Sequence, residues 1–224
     1  MRAPTLRASR RSLPVTLALA LALAACGSKP RQPDWLVNAD GAQDRYERAF
    51  LSGRDKAAAD EFARLQGELA STADPSLVAR GELTRCAVQV ASLQFDACPG
   101  FEPLRRDAGE AERAYADFLL GRFSGDAKLL PEAYRGVAGG TGGAAAVAAI
   151  KEPLPRLVAA AVLLRTGRAD PGVLQQAADT ASQQGWRRAV VAWLGAQAML
   201  AEKNGDAETA QRLRRRMSLA ADGK

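Results

Sequence analysis

Apolar residues recurring every three or four positions, in stretches repeatedly opened by an aspartate or closed by a glycine, restrict this chain more than anything else in it. Ala58, Phe62, Leu65 and Leu69 form one such stripe, and Trp186, Ala189, Val190, Trp193, Gln197 and Leu200 form another. That spacing puts each set on a single face of an α-helix. Asp74-Pro75 and Asp170-Pro171 each combine a capping side chain with a first-turn proline. Gly53, Gly121, Gly167, Gly185 and Gly205 stand where helices of ordinary length should stop. Most of the apolar content is Ala and Leu, while aromatic residues make up only 5%, a mixture that favours helices over strands. The expected class is all-α.

The punctuation predicts helices over residues 39–52, 55–71 and 75 to 93 or 95. Asp107, with Glu110 three residues later, resembles a capping box that opens a helix ending near Gly121. Short helical segments are expected around 131–137 and 144–150, with longer ones over 155–166, from Pro171 to before Gly185, over 186–203 and over 206–220. Neighbouring pairs should fold as antiparallel hairpins. Tyr46, Ala49 and Phe50, and later Tyr115, Phe118 and Leu119, fall on core-facing sides. Core packing is also the default role of Trp186 and Trp193.

The N-terminus carries a different signal. Arg2, Arg7, Arg10 and Arg11 precede an apolar run from Leu13 to Ala25, the charged and apolar regions of an export leader. The run is shorter than the roughly 20 residues needed to span a bilayer. Ser9-Arg10-Arg11 hints at twin-arginine export, whereas Pro14 and the strongly apolar run suit the general route. Leu23-Ala24-Ala25-Cys26 closes the leader and resembles the lipobox of bacterial lipoproteins. The resemblance implies cleavage before Cys26, acylation of that cysteine, and membrane attachment through it. Gly27 and Ser28 follow, with no Asp to signal inner-membrane retention, so the implied address is the outer membrane, facing the periplasm. An ordinary secretory leader with a coincidental cysteine, or an attached apolar helix, is the plainer alternative.

The expected organisation is a signal peptide at 1–25, an anchor and tether at 26–38, a helical subdomain at 39–138, a glycine-rich loop at 139–143 and a second helical subdomain at 144–224. Gly27 to Pro33 is polar and broken by proline, a composition that builds no core. Losing 25 of 224 residues leaves 199, enough for one sizeable domain or two small ones. The four leader arginines leave 27 of the 31 basic residues against 25 acidic ones, so the net charge falls from +6 to +2. That balance gives no reason to expect a nucleic-acid partner.

There is no histidine in the chain. Ser-His-Asp and Cys-His catalysis, HExxH zinc sites and ordinary haem ligation are therefore excluded, and no metal or cofactor is expected. With Cys26 assigned to lipid, Cys86 and Cys98 remain, and an even number in an oxidising compartment suggests a disulfide. Eleven intervening residues are wrong for a metal-binding CxxC. A helix continuing from Cys86 to Phe95 would rise about 13 Å, and Asp96-Ala97-Cys98 would have to fold back steeply to close the bridge. Two buried thiols are the alternative.

Gly139-Gly140-Thr141-Gly142-Gly143 could be mistaken for a phosphate-binding loop. No strand signal precedes it and no Lys-Ser or Lys-Thr follows, so a hinge or exposed loop is the better expectation. Gly205-Asp206 with Ala210 four residues on, and Gly53 with Ala58 and Phe62, are similar to the turn and small second-helix residue of a tetratricopeptide repeat. Leu194-Gly195 sits three residues before the place where the repeat carries that pair, which holds Gln197-Ala198 here. Both a repeat-like array and an irregular helical bundle remain open.

These readings point to a noncatalytic, lipid-anchored adaptor that holds an envelope protein partner in assembly or secretion, as helical-repeat lipoproteins of the outer membrane do. The alternative is a peptidoglycan-acting hydrolase relying on carboxylates, for which Glu82, Glu102, Glu110 and Glu112 are candidates. Helix-face solvation or capping explains each of them more simply. Arg212, Arg214, Arg215 and Arg216 form a possible basic contact patch for lipid headgroups or an acidic partner. Cations near a helix C-terminus also favour its dipole.

Overall fold

The computed structural model describes residues 32–140 and 143–222. The leader, Cys26 and residues 27–31 of the expected tether lie outside the described residues. Among the described residues the chain is all-helical, with no strand. The helices are α1 (Asp34–Leu51), α2 (Asp55–Ala70), α3 (Pro75–Ala91), α4 (Glu110–Leu119), α5 (Glu132–Ala138), α6 (Ala144–Ala149), α7 (Pro153–Arg165), α8 (Pro171–Gln183), α9 (Arg187–Lys203) and α10 (Ala207–Asp222). Two 3-10 turns, Glu102–Leu104 and Ala127–Leu129, join α3 to α4 and α4 to α5.

The expected stop signals act through one local device. At Gly53, Gly121, Gly167, Gly185 and Gly205 the backbone turns left-handed. The next residue's N–H then donates back into the helix, as Arg54 does to the Ala49 carbonyl at 2.8 Å and Asp206 to the Ala201 carbonyl at 2.9 Å. This is the Schellman closure, which satisfies carbonyls that the helix end would leave orphaned. The Asp74 and Asp170 side chains accept from the N–H groups of Ser76 and Val173 at 2.8 and 2.9 Å, as their cap positions require.

Besides shifts of one or two residues, such as α7 starting at Pro153 rather than Pro155, three helix ends depart from the sequence expectation in an informative way. α1 begins at Asp34 rather than Ala39, so Trp35, Leu36 and Val37 are helical. α3 ends at Ala91, short of Leu93 or Phe95. Leu93 itself takes the left-handed position (φ 59°), and Gln94 N–H donates to the Gln89 carbonyl at 2.9 Å. That is a glycine-type stop made without glycine, so the sequence does not mark it. The Asp107 and Glu110 capping box is not formed: α4 is preceded by Gly109 as N-cap. A Cβ on Gly109 would lie 2.3 Å from Glu112 Oε2. The missing side chain leaves room for the Glu112 carboxylate to fold back over the first turn.

Consecutive helices pack as hairpins, most extensively α1 with α2 and α9 with α10. α3 and α7, which lie on opposite sides of the glycine run in sequence, pack on each other. α7 buries seven residues in succession, Leu157 to Leu163, the mark of a helix surrounded on all sides. Trp193 of α9 is fully buried, and its indole N–H donates to the Ala91 carbonyl at the end of α3 at 3.0 Å. Arg188 of α9 donates to the Phe50 carbonyl at 2.7 Å, pairs with Asp55, and lies over the Phe50 ring. The last hairpin is thereby fastened to the first.

Candidate functional site

The Cys86–Cys98 disulfide is present, with Cα atoms 5.3 Å apart. The early end of α3 makes it possible, because the chain reverses at Leu93 instead of rising another turn. The bridge holds the segment after α3 against that helix, where Gly100 rests on the side chains of Glu82 and Arg85. A Cβ on Gly100 would fall 1.9 Å from Glu82 Oε2 and 2.0 Å from Arg85 Nη2. Glu82 accepts from Gln66 Nε2 at 2.7 Å. Its Oε2 lies 2.6 Å from Arg85 Nη2, close in charge but out of line for a hydrogen bond.

The other candidate glutamates are dispersed. Glu102 accepts from Arg105 Nε and Nη2, each at 2.9 Å, and those hydrogen bonds lower its carboxyl below the usual range. Glu110 stands exposed at the first position of α4. Glu102 lines a polar surface cavity among Arg105, Arg106 and Arg113, whereas Glu112 lies in a mainly apolar cleft.

That cleft, about 510 Å³, is built from six elements. α1 contributes Gln43 and Glu47, one turn apart; α3 contributes Arg80, Leu83, Thr84 and Ala87; α4 contributes Ala111, Glu112 and Tyr115. The second 3-10 turn and α5 add Lys128 to Pro131, Tyr134 and Arg135, and α7 closes the far side with Leu154 and Pro155. The walls are mainly apolar, as in most ligand sites, with a few polar groups converging on the space.

Two pairs give the cleft its chemistry. Tyr115 and Tyr134 stack with ring centroids 5.4 Å apart at 17°, their hydroxyl oxygens separated by 3.3 Å. Burial pushes Tyr115 up to about 12, partly opposed by its hydrogen bond to Tyr134, and drives Tyr134 well above its ordinary value. Both phenols keep their protons at neutral pH. Across from them Arg80 Nε donates to Glu112 Oε1 at 2.7 Å. Burial alone would raise the Glu112 carboxyl, but the Arg80 hydrogen bond and the backbone N–H of Glu112 bring it below the usual range.

Glu47 is the contrasting acid. Burial raises its carboxyl, against the opposing hydrogen bond from Gln43 Nε2 at 2.9 Å. Among the described residues it has no ion-pair partner. Its charge is felt by both phenols and contributes to their upward displacement.

The basic patch does not form one surface. Arg212, Arg215 and Arg216 share a face of α10 by helical spacing, while Arg214 points elsewhere and pairs with Glu202 of α9. Arg212 donates to Thr209 Oγ1 at 2.9 Å and reaches Glu208 at 3.8 Å. At the glycine run, of which Thr141 and Gly142 lie outside the described residues, Ala144 N–H donates to the Asp170 carboxylate at 3.3 Å. A negative side chain thus occupies the position a phosphate would need.

Sequence reasoning did not single out Glu47, Arg80 or Tyr134, and it read Tyr115 as core alone. The available signal was chemical type: in a chain with three tyrosines, two stand on adjacent short helices at positions where Leu or Phe would satisfy the core. No protein-family model matches the chain, and comparisons with curated proteins and with solved structures find no match.

Proposed function

We propose that this chain is a lipid-anchored adaptor of the bacterial envelope, fixed to the outer membrane through Cys26, facing the periplasm, and holding a protein partner in its cleft. The cleft is the observation that carries the reading. It is apolar, open to solvent and bordered by charges from separate helices, the kind of surface that takes an exposed partner segment. The lipobox resemblance supplies the location.

Crosslinking of the full chain in intact envelopes, alongside Cys26→Ser, tests the proposal. One reproducible protein partner is expected, with the variant lost from the outer-membrane fraction. Capture of no protein, together with muropeptide turnover by the purified protein, would overturn it.

One feature favours the hydrolase as second reading. Glu47 and Glu112 share a cleft and are displaced in opposite directions, the arrangement that separates an acid from a base. That reading requires muropeptide release to be abolished by both Glu47→Gln and Glu112→Gln.

A further inference from the structure

Of the charged groups lining the cleft, Arg80, Glu112 and Arg135 are engaged, Lys128 is exposed at its rim, and Glu47 is the half-buried one without an ion-pair partner among the described residues. Arg80 is committed to Glu112 at 2.7 Å. Arg135 donates to the backbone carbonyls of Leu130 at 3.0 Å and Lys128 at 3.3 Å. Glu47 gives one oxygen, Oε1, to the Gln43 amide. Its Oε2 has no hydrogen-bond partner among the described residues, and it is not sealed away from the cleft. A half-buried carboxylate without a cation is costly to keep, and it lies against the apolar wall of an open cavity.

The neighbouring groups suit one kind of occupant. The Tyr115 and Tyr134 rings line the cleft, and an aromatic ring attracts a cation placed within about 6 Å of its centroid. Leu83, Ala87 and Leu130 offer apolar surface to a methylene stem, the way long basic side chains bury their carbon chains while keeping the charged head on an acceptor. The volume of about 510 Å³ exceeds one side chain and is far below that of a folded domain.

We infer that the cleft receives a lysine or arginine side chain of the partner protein, its cationic head on Glu47 Oε2 and its stem along Leu83, Ala87 and Leu130 beside the Tyr115–Tyr134 pair. This rests on the adaptor reading and specifies what the partner must present. Lys128, exposed at the rim, takes no part in holding the cation.

The test uses the full chain and three acetylated, amidated pentapeptides, Ala-Leu-X-Leu-Ala, with lysine, norleucine or glutamate at X, titrated by saturation-transfer NMR. The lysine peptide is expected to bind about tenfold more tightly than the norleucine peptide, the size of one hydrogen bond to a charged group. Glu47→Gln should erase that preference, and Lys128→Ala should hold or raise it. A thermal midpoint for Glu47→Gln at or above that of the unaltered chain confirms that the variant folds. Equal binding of the lysine and norleucine peptides, tightest binding of the glutamate peptide, no lysine-peptide binding at millimolar concentration, or an undiminished preference in Glu47→Gln overturns the inference. Partner capture from envelopes with equal yield in Glu47→Gln overturns it while leaving the adaptor standing. Lysine-selective binding with no captured protein overturns the adaptor instead.

Discussion

Reducing the Cys86–Cys98 bridge should lower the thermal midpoint by about 6 to 12 °C. The bridge closes a loop with a sequence separation of 12, and the loop-entropy relation assigns such a closure about 3 kcal/mol at 25 °C. For a helical unit of this size each kcal/mol shifts the midpoint by about 2 to 4 °C. Both cysteines are buried, so replacing them with alanine also removes packed sulfur and adds about 1 kcal/mol per site. Cys98 sits in the left-handed region, φ 50°, which a non-glycine residue occupies at a cost of about 1 kcal/mol. Once released, the segment after α3 should relax away from Glu82 and Arg85. The assay is far-UV circular dichroism on the full chain with and without reductant, with thiol labelling to verify that both sulfurs are free. Cys86→Ala/Cys98→Ala should fall further than reduction alone. A fall below 2 °C with both thiols labelled would refute the account, because the bridge would then constrain nothing that folding needs.

Glu47→Gln should raise the midpoint at pH 7. The folded-state carboxyl is raised above its unfolded value, so its contribution is fully present below the unfolded value and is lost as pH rises through the folded one. The gain of the variant should therefore shrink to nothing under acid, and a gain that persists at low pH would contradict the burial cause. Glu112→Gln should do the reverse, costing about 1 to 3 kcal/mol near neutrality. The native Glu112–Arg80 contribution is present above the unfolded carboxyl value and lost as pH falls through the lowered folded one. Gly100→Ala should destabilise by about 1 to 3 kcal/mol in denaturant unfolding, since its Cβ would displace the buried Glu82 or its Arg85 partner. The penalty should diminish when Glu82 is truncated in the same chain.

What the sequence revealed was what acts locally. Gly53, Gly167 and Asp170 fix a backbone conformation or satisfy an N–H within a few residues, so their effect is legible without knowing the tertiary structure. Leu93 performs a glycine's task because the disulfide segment and the core hold it there, and nothing local announces that. Gly109 was missed for a related reason: it makes space for Glu112, whose partner Arg80 stands 32 residues away. The cleft is the extreme case. Gln43, Arg80, Tyr115, Tyr134 and Leu154 come from five helices, and each is ordinary in its own stretch of chain. Their relation exists only once α3 has packed on α7 and α4 has packed on α3.

The most direct test of the central claim is a photocrosslinking amino acid placed at Ala111, exposed at the cleft, and in a separate chain at Met199, exposed on α9. Irradiated in intact envelopes, the Ala111 probe should capture one reproducible protein, the Met199 probe should not, and adding Glu47→Gln should weaken the Ala111 product about tenfold. Capture from Met199 alone, or from neither position, would contradict the cleft as the partner's seat.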